Sequence, residues 1–305
     1  MNTKTMAPNV LTLNRALEVA EKGSYALGSF SPRYTPMIRA ILRAGQERQS
    51  PLIVQISNKE LTRYAIEPME FADEFRAAVQ DENITIPLVL HLDHTKEFVD
   101  IQSAIAAGFT SVMIDASEKP LDDNITTTKE IVAYAHARGV SVEAELGRIG
   151  TTDFVETDTD EELYTIPQEA EQFVRETRID ALAVSVGTAH GVYMVRQPKV
   201  DYDRLRAIRA LTSVHLVLHG GSGVPSEMMS EAIKLPGGGV SKVNIATDLE
   251  LALLRALGRE ERMTNAQCKA LPIEQLQLGR DAIERTVTDK IVHFLGSDGH
   301  AADFT

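Results

Sequence analysis

"IPLVLHLDHT", residues 86–95, is the stretch that decides the fold. It begins as a continuous apolar run, which is typical of a strand buried on both faces of a parallel sheet. It ends in three titratable side chains, His91, Asp93 and His94. A strand that is apolar along its length and polar at its C-terminal end predicts a buried sheet with a polar rim.

The same pattern recurs along the chain, because short apolar runs alternate with turns and amphipathic helical patterns. The runs are "YALGSF" (25–30), "PLIVQIS" (51–57), "IPLVLHLD" (86–93), "SVMIDAS" (111–117), "VSVEAELG" (140–147), "DALAVSVG" (180–187), "VHLVLHGG" (214–221) and "VSKVNIA" (240–246). This pattern predicts an α/β fold, a (β/α)8 TIM barrel. We expect one domain over residues 1–305, with C-terminal helices at about 249–296. A doubly wound open sheet is the alternative, but no G-x-G-x-x-G follows the first strand.

Composition and charge exclude several classes of function. The 31 basic and 44 acidic residues give a net charge of −13, and this average field repels nucleic acid. The single cysteine, Cys268, excludes a disulfide framework and a cysteine-rich zinc site. The sequence shows no signal peptide and no run near the roughly 20 apolar residues of a membrane span. We expect a cytoplasmic protein that binds a small molecule and neither nucleic acid nor membrane.

Three histidines follow three different predicted strands at their C-terminal ends: His94, His190 and His219. In a closed barrel these ends converge, and active sites lie there. Three imidazoles with one open position are typical of catalytic zinc. The alternative is three unrelated polar residues at the strand ends.

Carboxylates cluster at the same rim, namely Asp93, Asp115, Glu143, Glu145 and Asp248. A carboxylate beside a metal suits proton abstraction next to a carbonyl, and Asp93 adjoins His94, so we predict Asp93 as the base. Strict alternation, however, would place Asp93 and His94 on opposite faces. Both can serve only if the strand ends at Asp93 and the chain turns. His91 would then point inward, below the site, as a hydrogen-bonded core residue.

Two glycine-bearing or helix-starting turns, "HGGSGVP" (219–225) and "NIATD" (244–248), follow the seventh and eighth strands. Barrels commonly bind phosphate with these loops, through backbone N–H groups and a helix N-terminus. Ordinary turn glycines are the alternative. The predicted donors are Gly220, Gly221, Ser222, Ala246 and Thr247.

These motifs together resemble the class II, metal-dependent ketose-bisphosphate aldolases, the family of the fructose- and tagatose-bisphosphate aldolases. The resemblance spans roughly residues 13–298 and rests on "HLDH", "AIAAGFTSVMIDAS", "VEAELGRIG", "YTIPQEAEQFV", "DALAVSVGTAHGVY", "LVLHGGSGVP", "VSKVNIATDL" and "GRDAIERTV". It implies a Zn²⁺-dependent barrel, usually a homodimer or homotetramer. It also implies reversible cleavage of a ketose phosphate into dihydroxyacetone phosphate and an aldehyde. Members often bind a monovalent cation, Na⁺ or K⁺, near the phosphate.

The resemblance also implies roles for individual residues. His94, His190 and His219 fall on the zinc-ligand positions, and Glu145 and Asp115 fall on acidic positions near the metal. Asp93 falls on the proton-transfer aspartate. Ser57 matches a serine at the end of the second strand. The positions that hold the dihydroxyacetone phosphate end are Gly191, Gly220, Ser222, Asn244 and Thr247.

The departures from the family pattern fall on the aldehyde half of the site. Asp153 stands near the place of a catalytic loop glutamate, and Ser31 replaces a substrate-facing asparagine. Ile273 stands at the place of an arginine that binds the distal phosphate. Arg33 could supply a cation from the loop after the first strand, or could be a solvated loop residue.

Three hypotheses follow. The first is a zinc-dependent aldolase that acts on a ketose 1-phosphate or an atypical ketose bisphosphate. The second is a metal-dependent hydrolase on the same barrel, and the third is a non-catalytic accessory subunit. The retained histidines and Asp93 count against the third.

Overall fold

The computed structural model describes residues 6–148, 163–189, 191 and 198–304. Its parallel strands close into a barrel in sequence order, with the eighth strand paired to the first. This architecture confirms the predicted (β/α)8 barrel. The strands are β1 (Leu27–Phe30), β2 (Leu52–Ser57), β3 (Leu88–Thr95), β4 (Ser111–Ile114), β5 (Ser141–Leu146), β6 (Ala181–Val184), β7 (His215–Leu218) and β8 (Val240–Ile245).

Helices surround the barrel and extend beyond its last strand. They are α1 (Leu13–Gly23), α2 (Ile38–Glu47), α3 (Asn58–Tyr64), α4 (Pro68–Asp81), α5 (Phe98–Ala107), α6 (Leu121–His136), α7 (Pro167–Thr177), α8 (Tyr202–Leu211), α9 (Ser226–Ile233), α10 (Thr247–Ala256), α11 (Asn265–Lys269) and α12 (Ile273–Asp289). A π-helical turn, Lys290–Leu295, continues α12. Among the residues described, no helix is both long enough and apolar enough to cross a membrane.

The lower half of the barrel interior is apolar. Inward-facing residues such as Ile53, Val89 and Val217 pack there against α1, which closes the N-terminal end of the barrel. Leu13 and Leu17 of α1 are fully buried in this layer. Truncating either leucine to alanine should cost about 2–5 kcal/mol, because the rigid barrel cannot collapse into the cavity.

The upper half of the interior is polar, and the alternation of strand side chains explains why. Residues two positions further along a strand face the same side, one layer nearer the C-terminal end. Thus Ile53 is followed by Gln55, and Val89 by His91 and Asp93. The buried polar side chains on the strands or just after them include Ser29, Gln55, His91, Asp93, Glu143, Glu145, His219, Lys242 and Asn244.

Candidate active site

Asp93 and His94 are brought together by a β-bulge. The expectation that the third strand ends at Asp93 is wrong, because β3 continues to Thr95. The pairing of β3 with β4 shifts register between Leu92 and Thr95, and His94 has a φ of 40°. A bulge inserts one extra residue into a strand, so two consecutive side chains can face the same side. Left-handed backbone is uncommon for a residue other than glycine, and it is often found at functional sites.

The bulge places His94 against His219, which follows β7. Ligand atoms of Asp93, His94 and His219 all lie within 4.8 Å of one another, as do those of His94, Asp115 and Glu145. The imidazole rings of His94 and His219 are 4.6 Å apart between centroids. Nδ1 of His219 lies 3.7 Å from Oε2 of Glu145. His190, the third predicted histidine, lies outside the described residues.

The tautomers of both histidines suit a metal site. Nε2 of His219 lies 2.8 Å from Oε1 of Glu143. Burial by itself would raise the pKa of Glu143, but the charge of Lys242 and the His219 hydrogen bond lower it to about 2. A carboxylate can only accept, so Nε2 of His219 donates and Nδ1 carries the lone pair. His94 mirrors this arrangement, with Nδ1 3.1 Å from Oδ2 of Asp115.

Carboxylates dominate the electrostatics around His94. Burial alone would lower the pKa of the imidazole, but Asp93 and Asp115 raise it to about 10. Burial alone would raise the pKa of Asp93, but the charge of His94, with the His91 imidazole 3.7 Å away and the charge of Lys242, holds it well below its usual range. Sites that hold a proton this firmly among carboxylates also attract a metal cation, which competes with the proton for the nitrogen. The donor set therefore fits a divalent metal ion.

Asp93 is held in a fixed orientation by amide side chains. Nε2 of Gln55 donates to Oδ2 of Asp93 at 3.2 Å, and Nδ2 of Asn244 donates to Oδ1 at 3.1 Å. Nζ of Lys242 then donates to Oδ1 of Asn244 at 2.8 Å and lies 2.8 Å from Oε2 of Glu143. Sequence reasoning missed Gln55 and Lys242. The alternation of side chains along a strand could have identified them. Gln55 lies two residues before Ser57 on β2, and Lys242 lies two residues before Asn244 on β8, so each faces the same side as a predicted site residue.

The turns after β7 and β8 lie against each other, as the phosphate-site prediction requires. Gly221 N–H donates to the carbonyl of Asn244 at 3.1 Å, and Asp248 N–H donates to Oγ of Ser222 at 3.2 Å. A Cβ on Gly220 would overlap the carbonyl oxygen of Ala189, and Gly220 has a φ of 67°. Glycine is therefore required at that position. Ala246 and Thr247 start α10, whose first N–H groups have no intrahelical partners.

Two of the residues predicted at the aldehyde half, Ser31 and Arg33, contact one carboxylate, Glu60 of α3. Oγ of Ser31 donates to both of its oxygens, at 3.0 and 2.9 Å. Ser57 caps α3 and exchanges hydrogen bonds with Glu60, and Arg33 forms an ion pair with it at 2.8 Å. Ile273 is 66% exposed at the start of α12.

Two further predicted site residues are Gly191 and Asp153. Gly191 is described, with a φ of 109°. Asp153 lies outside the described residues, so the structure does not place it relative to Asp93.

Known proteins share the fold and align with nearly the whole length of the chain. The family model for class II fructose-bisphosphate aldolase matches residues 11–300. A fructose-bisphosphate aldolase of Geobacillus stearothermophilus is 40% identical over 96% of this chain and 99% of its own length. One from Giardia intestinalis is 38% identical over 96% of this chain and 95% of its own length. The crystal structure of the YdjI aldolase from Escherichia coli K12 superposes with a TM-score of 0.80 at 30% identity, covering 96% of this chain and 99% of that one. The chain therefore belongs to the class II fructose-bisphosphate aldolase family, whose members are carbon–carbon lyases.

Proposed function

We propose that this class II aldolase is zinc-dependent and reversibly cleaves a ketose phosphate into dihydroxyacetone phosphate and an aldehyde. The observation that carries the proposal is the bulge in β3, which sets a buried carboxylate, Asp93, beside an imidazole that could bind a metal ion, His94. The substrate would be a ketose 1-phosphate or an atypical ketose bisphosphate. The metal ligands would be His94, His190 and His219, with Glu145 and Asp115 close by.

When bound, the metal ion would supply Lewis-acid polarisation of the substrate carbonyl oxygen. In the condensation direction Asp93 would take a proton from C3 of dihydroxyacetone phosphate, and in cleavage it would return that proton. Gln55 and Asn244 fix both carboxylate oxygens, so Asp93 needs no reorganisation before proton transfer. Asp153 would take the proton of the C4 hydroxyl in cleavage.

The dihydroxyacetone phosphate end would lie at the turns after β7 and β8. Backbone N–H groups there and at the start of α10 are the donors that phosphate binding needs. The proposed contacts are with Gly191, Gly220, Gly221, Ser222, Asn244, Ala246 and Thr247. A monovalent cation near this phosphate and a homodimeric or homotetrameric assembly remain predictions from the family.

The test is to incubate the zinc-loaded protein with fructose 1-phosphate, fructose 1,6-bisphosphate and tagatose 1,6-bisphosphate, and to follow dihydroxyacetone phosphate with a coupled dehydrogenase. An aldolase releases dihydroxyacetone phosphate and no inorganic phosphate. Release of inorganic phosphate alone would show a hydrolase. Turnover of none of a wide panel of ketose phosphates would show an accessory protein.

A further inference from the structure

A buried group of paired charges lies beside the proposed aldehyde half of the site. Arg33, in the loop after β1, sits between two carboxylates, 2.8 Å from Glu60 and 3.4 Å from Glu250 of α10. The side chains of the three residues are 11%, 7% and 3% exposed. Arg262 closes the group from the solvent side, 2.9 Å from the other oxygen of Glu250. Arg33 also has a φ of 61°, so its backbone adopts a left-handed conformation to reach this position.

This group contacts Ser31 and Ser57, which lie close to the layer of Asp93 at the C-terminal end of the barrel. Oγ of Ser29 donates to Gln55, which donates to Asp93, so Ser29 and Gln55 face the barrel interior. Ser31 and Ser57 lie two positions further along the same strands and toward the mouth. Ser57 is paired with Asp93 in the β2–β3 register. Glu60 binds both serines, so its carboxylate lies at the barrel mouth next to the Asp93 layer.

The charges in this group are balanced. Two carboxylates, Glu60 and Glu250, face two guanidinium groups, Arg33 and Arg262, so no net positive charge remains to attract an anion. Arg33 could turn toward a substrate phosphate only by leaving a buried carboxylate unpaired, which is strongly unfavourable. A hydroxyl group of a substrate could bind here without leaving a buried carboxylate unpaired. The Ser31 hydroxyl already donates to both oxygens of Glu60.

We infer that Glu60 is a specificity-determining residue, and that with Arg33 and Glu250 it selects an uncharged polyhydroxy tail on the ketose phosphate over a phosphorylated one. The inference rests on the proposed function and names the substrate class of the same site. The dihydroxyacetone phosphate end supplies the one phosphate that the site binds. The hydroxyl groups of the tail form hydrogen bonds at the C-terminal ends of β1 and β2.

The experiment measures binding separately from turnover. Hexitol 1-phosphate and hexitol 1,6-bisphosphate lack the carbonyl and cannot be cleaved, so their dissociation constants can be measured by calorimetry on the full-length, zinc-loaded protein. We expect the wild type to bind the monophosphate at least as tightly as the bisphosphate. In Glu60→Gln, the ratio of the two constants should shift toward the bisphosphate by about 10-fold or more, because Arg33 is freed for a charge-assisted bond. Glutamine is compatible with the capping box of α3, so the helix should persist.

Two further variants complete the test. Glu250→Gln removes the second partner of Arg33 and should shift the ratio in the same direction. Glu67→Gln makes the same chemical change at an exposed position beyond α3 and should leave the ratio unchanged. A bisphosphate bound more than about 10-fold tighter by the wild type, or a ratio unchanged in both Glu60→Gln and Glu250→Gln, would overturn the inference while release of dihydroxyacetone phosphate still supported the proposed function. Binding of neither hexitol phosphate, together with no release of dihydroxyacetone phosphate, would overturn both.

Discussion

Replacing Lys242 with methionine should strongly destabilise the barrel. Lys242 is completely buried, and its Nζ lies 2.8 Å from Oε2 of Glu143 and 2.8 Å from Oδ1 of Asn244. Methionine has a similar length and fills the space, so packing should change little. The Glu143 carboxylate, however, stays behind in a buried site without its cation.

The magnitude follows from this loss. Breaking a buried ion pair by removing one partner typically costs about 3–5 kcal/mol, because a buried charge is left uncompensated. The lost hydrogen bond to Asn244 adds roughly 1 kcal/mol. His219 still donates to the other oxygen of Glu143 at 2.8 Å, which offsets part of the cost. We therefore expect Lys242→Met to lower the free energy of unfolding by about 3 kcal/mol or more.

The assay is urea unfolding at neutral pH with a chelator present, so that metal binding does not contribute to the measured stability. The matched control is the double variant Lys242→Met, Glu143→Gln, which removes both charges. Replacing both members of a buried pair is often close to neutral, so the double variant should recover at least half of the loss. A loss below about 1 kcal/mol in the single variant, or a double variant no more stable than the single one, would refute the reasoning.

Three further predictions concern the metal, the base and the cysteine. Chelation should abolish turnover and Zn²⁺ or Co²⁺ should restore it; full activity after verified metal removal would contradict the metal assignment. Asp93→Ala should keep its metal but lose about 10²–10⁴-fold in the exchange of the C3 proton of dihydroxyacetone phosphate, whereas wild-type exchange would identify another base. Burial raises the pKa of the Cys268 thiol to about 12, so at mildly alkaline pH it should react with an aromatic disulfide reagent only after unfolding. Rapid labelling of the native protein would argue against this buried environment.

The fold could be predicted from the sequence because its signals are local and repeated. Each strand is a short apolar run with a polar C-terminal end, and each is followed by a turn and a helical pattern. Closure of the sheet follows from the number of repeats. The polar rim could be predicted for the same reason, since residues such as Asp93, His94 and His219 stand next to strand ends in the sequence itself.

The geometry at Asp93 and His94 could not be predicted, because strand periodicity assumes an uninterrupted ladder. With a strict period of two, Asp93 and His94 face opposite sides. The chain resolves this with a bulge and a left-handed His94. Neither has a clear sequence signal, since no glycine is nearby and most histidines are not left-handed. Because Asp93 and His94 both have to face the site, the sequence indicated an irregularity near the end of the third strand. It did not show whether the strand would end or bulge.

The role of Arg33 could not be predicted from the sequence for a different reason. A lone arginine in the loop after β1 reads as a cation available for an anionic tail, because nothing in its neighbourhood in the sequence neutralises it. Its partners, Glu60 and Glu250, come from α3 and α10 and reach it only when the ends of β8, β1 and β2 meet in the closed barrel. The sequence shows that Arg33 is charged. Only the tertiary structure shows that Glu60 and Glu250 neutralise this charge. In this barrel the same arginine changes from a feature that would attract a second phosphate into one whose charge two buried carboxylates already neutralise.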